Sequence, residues 1–394
     1  MPSLSILIGA TSAITVVVVA AVTLSITLSA SLDAIDSLGL DATGSLSELA
    51  ATKLDNYIEK PRNAVLTVNS HTMGGHFPFP SEDPTYETAD ALGAVMRGAW
   101  RTAQSASTVA AILRDGTFII TQRNPNSPGL HMLQAVNVIR NGGIVLRTTS
   151  TYIGNGTDSP PELLVGAARP SEFRVLFQPG NFFWYLSNMV FVDANRLDAW
   201  IAPPIILQFG NAPPFLQLSL HAAAYNGTNH SMGILASGVT ADQLSAFLHE
   251  SKISSGAHLF AIGPDERIIA TTHPAEWYTI EANVPRNRTT LEPGCSSTIT
   301  STAAAPGTPV HWVCRHLLVD HPFAPVRELM ADGVPDAGVR KVKLAGETYF
   351  VSVRGSQLDR TFGYLLTLLT LIPEEDVIGA VARSQAIAIG VSCA

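Results

Sequence analysis

Residues 215–250 read FLQLSLHAAAYNGTNHSMGILASGVTADQLSAFLHE, and their order decides the fold class. Phe215 to Tyr225 is an apolar strand, Asn226-Gly227 a tight turn, and a return strand runs through Val239. Thr240-Ala-Asp-Gln243 then matches a capping box, in which the threonine and glutamine side chains satisfy each other's free backbone N–H groups. A helix therefore opens there and runs to about Glu250. Strand, turn, strand, helix is the pattern of an antiparallel sheet that feeds a helix.

The same order recurs downstream. Ala257 to Ile262, the turn Gly263-Pro-Asp-Glu266 and Arg267 to Thr271 form one hairpin; Val339 to Leu344, Ala345-Gly346 and Glu347 to Arg354 form another. A final strand, Phe362 to Ile372, leads into a helix with Pro373 near its first turn and Glu374, Glu375 and Asp376 at the positive end of its dipole. Upstream, Val109 to Leu113, Arg114-Asp-Gly116 and Thr117 to Thr121 make a hairpin whose Asp-Gly suits a type I′ turn. The expected fold is α+β, with two antiparallel-sheet modules in tandem over 107–250 and 251–383.

Ahead of them, residues 1–32 carry no charged side chain, and an apolar run longer than about 20 residues reads as a transmembrane helix. The segment has no cationic start and is longer than a signal-peptide core, so an uncleaved signal anchor is expected; cleavage near Ser29 and Ala30 is the competing reading. Residues 33–106 form a stalk and a second helix. In the stalk Leu38, Leu40, Leu46, Leu49, Leu54, Ile58, Val65 and Val68 recur near helical spacing, and Pro61 is expected to kink or restart it. That apolar stripe needs a partner, so a homodimer through the stalk is expected. Residues 384–394 look like the start of a second spanning helix, and the sequence is read as a fragment of a longer chain.

Charged residues make up 14% and the net charge is −8, with no basic stripe to neutralise phosphates, so nucleic acid is not an expected partner. The sequons at Asn155, Asn226, Asn229 and Asn287 fit an exterior domain at the plasma membrane. Cys295 and Cys314 share one polar segment; an oxidised pair would contribute about 3 kcal/mol, and free thiols remain the other reading. No catalytic elbow, zincin motif, phosphate loop or dinucleotide fingerprint occurs, so neither an enzyme nor a cofactor is expected. His311, His316 and His321 recur at an interval of five, which suits no single helical face, and they are read as surface or core residues rather than metal ligands.

Several stretches together resemble a double Cache domain: Lys53-Leu-Asp-Asn-Tyr-Ile-Glu-Lys-Pro61 in the stalk, Ile112-Leu-Arg-Asp-Gly-Thr-Phe118, the Trp184-Tyr185 pair, Gly233 to Leu248, and Leu259-Phe-Ala-Ile-Gly-Pro-Asp-Glu-Arg-Ile-Ile-Ala270. The resemblance implies an extracytoplasmic sensor on a long helix with two PAS-like modules, a small ligand in the distal one, and a cyclase or kinase as the cytoplasmic output. Members that bind amino acids resemble a pattern with an arginine before the Trp-Tyr pair and an aspartate after a Pro-Tyr. Here those places hold Phe182 and Ile205 to Leu207, so charge-paired readout of a free amino acid is not expected. The candidate ligand contacts are Phe182, Trp184, Tyr185, Trp200, Phe215 and Tyr225, an aromatic set with Asp193, Arg196 and Asp198 nearby. The competing functional classes are an anchored ectoenzyme and a channel-associated or adhesion subunit.

Overall fold

A computed structural model describes residues 4–74, 86–103, 105–114, 118–123, 131–140, 144–153, 162–163, 171–172, 200–207, 215–225, 231–252, 254–274, 278–284, 295–297, 310–355, 366–377 and 379. Helix α1 (Leu4–Met73) is continuous, with Pro61 inside it, so the helix does not restart there. Pro61 is buried, and the packing that holds the helix offsets the backbone hydrogen bond a proline cannot donate. Helix α2 (Tyr86–Thr102) packs beside it.

Among the described residues, nine strands then form one antiparallel sheet: β1 (Thr108–Leu113), β2 (Phe118–Arg123), β3 (His131–Arg140), β4 (Ile144–Ile153), β5 (Glu162–Leu163), β6 (Ser171–Glu172), β7 (Trp200–Leu207), β8 (Phe215–Tyr225) and β9 (Ser231–Thr240). The order is β5-β4-β3-β2-β1-β9-β8-β7, with β6 paired to β4. Both halves of the capping box are made at Thr240, and helix α3 (Ala241–Glu250) follows. A five-stranded sheet comes next, built from β10 (His258–Ile262), β11 (Ile268–Thr271), β15 (Gly338–Leu344), β16 (Glu347–Gly355) and β17 (Thr367–Pro373), in the order β11-β10-β17-β16-β15. Between β11 and β15 lie a small sheet of β12 (Tyr278–Val284), β13 (Cys295–Ser297) and β14 (Val310–Arg315), a 3-10 turn (Leu318–Asp320) and helix α4 (Ala324–Leu329). The turn between β15 and β16 puts Ala345 and Gly346 at positive φ, as a type I′ hairpin requires. The class is α+β, and strands β3 to β6 and the small sheet are additions to the expected pattern.

Helix α1 contacts β1, β8 and β9 of the large sheet and β15, β16 and β17 of the five-stranded one. Gly39, Thr43, Ser47, Ala50, Leu54, Ile58, Pro61, Val65, Val68 and Thr72 are buried in steps of three and four that make one stripe, with Ala64 and Asn69 buried beside it. Small residues hold its first half close to the sheet: a Cβ on Gly39 would lie 2.3 Å from Phe350 Cζ. One core cluster joins Leu54 and Ile58 of α1, Leu216, Leu218 and Leu220 of β8, Leu244 and Leu248 of α3, and Phe260, Val351 and Leu369 of the second sheet. The stalk's apolar residues therefore divide: Leu54, Ile58, Val65 and Val68 are covered by the chain's own sheets, whereas Leu38 and Leu49 are about half exposed. The partner that the sequence demanded for the first four is found within the chain.

Among the described residues no helix is long and apolar enough to cross a membrane. The segment expected at 384–394 lies outside the described residues.

Because Leu54 is fully buried in the cluster that joins both sheets, Leu54→Ala is expected to lower unfolding stability by about 2–5 kcal/mol, in one transition for both sheets. Leu49→Ala, on the outward side, should change it by less than about 0.5 kcal/mol. Urea unfolding followed by circular dichroism checks both.

Candidate functional site

Strand β8 is buried along its length from Leu216 to Tyr225, so both of its faces are covered. Leu216, Leu218, Leu220, Ala222 and Ala224 point into the helix-packed cores. The alternate residues Gln217, Ser219, His221, Ala223 and Tyr225 take the opposite face, because side chains switch sides at every step of a strand. Register places Thr108, Ala110 and Ile112 of β1 and Ile234, Ala236 and Gly238 of β9 on that same face. The result is a floor of small residues crossed by a polar row, all of it buried.

Buried polar groups need partners, and several here are made locally. Gln217 Nε2 donates to Ser219 Oγ at 3.1 Å. The Gln217 side chain lies over Gly238, where an added Cβ would sit 2.0 Å from Nε2, so the glycine provides the space the amide occupies. Ser107 Oγ donates to the Gly238 carbonyl at 2.7 Å, pinning the edge of the floor. Burial pushes the His221 imidazole down from its usual value to about 4, so the ring is neutral at pH 7. Amide, hydroxyl and neutral imidazole can together hydrogen-bond an uncharged polar ligand; among the described side chains of β1, β8 and β9 that share this face, none carries a charge at pH 7.

Of the aromatic residues singled out from the sequence, Trp200 opens β7 opposite His221, Phe215 opens β8 opposite Leu207, and Tyr225 closes β8 and is buried. Phe182, Trp184 and Tyr185, with Asp193, Arg196 and Asp198, lie outside the described residues, as do Asn155, Asn226, Asn229 and Asn287. Ile205 sits opposite Gln217 in β7. Cys295 stands opposite Cys314 in the register of β13 and β14, and Cys314 is disulfide-bonded. Gln217, Ser219, His221 and Thr108 were not foreseen, although the alternation Leu-Gln-Leu-Ser-Leu-His through 216–221 carries the signal.

A second constellation lies where the stalk meets the last strand. Lys341 Nζ of β15 donates to Asp36 Oδ1 of α1 at 2.6 Å and to Glu374 Oε1, just past β17, at 2.7 Å. Its hydrogen bond to Asp36, then that to Glu374, raise the ammonium above its usual value. One cation thus ties the incoming helix to the segment that leaves the second sheet, beside a cleft of about 280 Å3 lined by Glu347, Thr348, Pro373, Glu374 and Glu375.

No protein-family model and no curated protein matches the chain. Solved structures do. The ligand-binding domain of the Campylobacter jejuni chemoreceptor Tlp3 in complex with L-valine is 11% identical, covers 88% of this chain and 96% of its own, and superposes with a TM-score of 0.48. That of the Pseudomonas aeruginosa chemoreceptor PctB with L-Arg is 12% identical over 88% and 92%, at 0.45, and that of PctC with GABA is 14% identical over 84% and 98%, at 0.41. The structural neighbours are sensory domains of bacterial chemoreceptors. They are of the double Cache type, the family the sequence resembles. At these identities and TM-scores nothing about the ligand is carried over.

His221 gives a pH test. The unfolded ring titrates near 6.5 and the folded one near 4, so between these values the unfolded chain binds more protons and stability falls as pH falls. His221→Gln is expected to recover about 2 kcal/mol at pH 5 relative to its own effect at pH 7, read from urea midpoints at the two values.

Proposed function

We propose that this chain is the ligand-sensing exterior part of a membrane receptor, taking a small, uncharged polar molecule on the covered face of its large sheet. The observation that carries the reading is the buried row Gln217, Ser219 and His221 over an alanine and glycine floor. A strand needing only a core would place apolar residues there, since each buried polar group costs free energy unless it is bonded. Neutral donors and acceptors suit a neutral ligand. Free amino acids, which want a guanidinium and an acid, do not fit it.

The membrane attachment is supported by α1 itself. The helix begins at Leu4, and the sequence has no charged side chain before Asp33; the charge-free run extends N-terminal to Thr15, the first described side chain. Val16, Val18, Val19, Val22, Leu24 and Ile26 are each more than half exposed. Apolar surface of this kind, at roughly 25 cal/mol per Å2, is stabilised by a bilayer. Residues 33–383 then lie outside the plasma membrane, with Cys295 and Cys314 as the disulfide and the four sequons as glycan acceptors. A ligand that favours one arrangement of the sheets shifts it through α1 and through the segment after β17, which Lys341 joins, toward a cyclase or kinase on the other side.

A thermal-shift screen of uncharged polar metabolites against the protein tests the reading. A compound of this class is expected to raise the Tm of the unaltered protein and to lose at least about tenfold in affinity, about 1.4 kcal/mol, in Gln217→Ala. Ligands confined to charged amino acids, or binding unchanged in that variant, would sink it.

A further inference from the structure

Three imidazoles meet on the second sheet, far in sequence from the face described above. His258 opens β10, His273 follows β11, and His321 follows the 3-10 turn. Ring centroids lie 5.3 Å apart for His258 and His273 and 4.8 Å apart for His273 and His321. Phe323 closes on His258 at 4.5 Å and on His273 at 5.1 Å, and Phe260 meets His321 edge-on at 5.2 Å. Among the described residues no group of three His, Cys, Asp or Glu is arranged to hold a metal ion, so the cluster is not a metal centre as it stands.

The charges that act on these rings are positive. Lys252, beyond α3, acts on His258 and His273, and His316, after β14, acts on His321. β17, the neighbour of His258, brings no ionisable side chain over Thr367–Pro373. Of the acids on the elements packed here, Asp320 is exposed, Glu328 of α4 is engaged by the Ala345 N–H at 2.6 Å, and in the β10–β11 turn, whose Glu266 carbonyl accepts the Leu318 N–H, Asp265 is paired with Arg315 and Glu266 is half-buried.

His321 is fully buried, and its Nδ1 accepts the backbone N–H of Phe323 at 3.2 Å. With Nδ1 as acceptor, the neutral ring carries its proton on Nε2, which meets no partner among the described residues. A second proton has to go to Nδ1. That turns the acceptor into a donor aimed at a donor, and Phe323 is the N-cap residue of α4.

We propose that His321, packed against His258 and His273, is an acid-operated latch: protonation at Nδ1 ejects the Phe323 N–H and frees the 3-10 turn and α4 from the second sheet. Burial holds His321 and His258 down to about 4, with neighbouring positive groups adding to the effect. The released segment titrates near the ordinary 6.5, so it binds more protons between the two values and the closed state weakens as pH falls through that window. Release uncovers the core that Val326 and Met330 cover. It acts beside β17, the strand leading to Glu374, and is independent of any ligand.

Hydrogen exchange of the whole protein at pH 7 and pH 4.5, expressed as protection factors, tests the latch. Amides of 318–331 are expected to lose about tenfold or more at pH 4.5 while those of β16 keep their protection; His321→Asn, whose side-chain oxygen still accepts the Phe323 N–H and cannot be charged, should abolish the loss. An equal loss in both proteins, or none in the unaltered one, overturns the proposal. Should His321→Asn not fold at pH 7, an NMR titration of the unaltered protein decides: protection lost together with protonation of the His321 ring supports the latch, and loss while that ring is neutral overturns it.

Discussion

A single buried stripe on α1 is the constraint on which the rest depends. Both larger sheets are packed on this helix, and Leu54 and Ile58 share one hydrophobic cluster with strands from each. A helix is stiff along its axis, so the two sheets cannot shift independently without breaking that stripe. The stripe is also graded. Toward the helix start it consists of Gly39, Thr43, Ser47 and Ala50, and the Thr43 and Ser47 hydroxyls are buried without a hydrogen-bond partner among the described residues. Further along it becomes Leu54, Ile58, Val65 and Val68, which bury far more apolar area. The grip on the second sheet is thus weaker than the grip at the junction of the two, so movement is cheapest near Gly39 and Phe350.

Polar burial marks the places where the fold accepts a cost. In the large sheet the cost falls on one face of β8, where Gln217, Ser219 and His221 replace the leucines of the other face. Around the second sheet it falls on three desolvated imidazoles and on buried Arg315 at the end of β14, which is ion-paired with Asp265 in the turn between β10 and β11. Ordinary packing would fill such positions with apolar side chains at no desolvation cost. The large-sheet row faces away from the helices, whereas the imidazoles lie beside a short helix and the strand leading out of the sheet. In the proposed reading, recognition and release thereby fall on different sheets.

Much of the fold was legible in local pattern. The capping box at Thr240, the Ala345-Gly346 hairpin and the strand at Phe215 to Tyr225 stand as read, because each depends on residues within a few positions of one another. The restart expected at Pro61 is absent for the opposite reason: sheets from distant sequence pack on the helix on both sides of it and keep it continuous. Leu49 and Leu54 looked alike in the stalk pattern, yet one is 51% and the other 1% exposed. Helical spacing identifies a stripe but not which of two overlapping stripes the sheets will cover. The candidate site was legible only in part. The aromatic residues drew attention by size, while the polar row on β8 was hidden inside an otherwise apolar run, whose two faces differ only once both are buried.

By itself the sequence determined the α+β class, the charge-free N-terminal run, the low content of charged residues and the order of the hairpins it marks, since composition, period and turn chemistry act over short distances. Only the tertiary structure decided that one helix serves both sheets, that Gln217, Ser219 and His221 share a covered face with Thr108, and that His321 meets His273, which in turn meets His258. Those pairings join residues tens to hundreds of positions apart. They are set by strand register and by which core side chains fit together, quantities that no local spacing encodes.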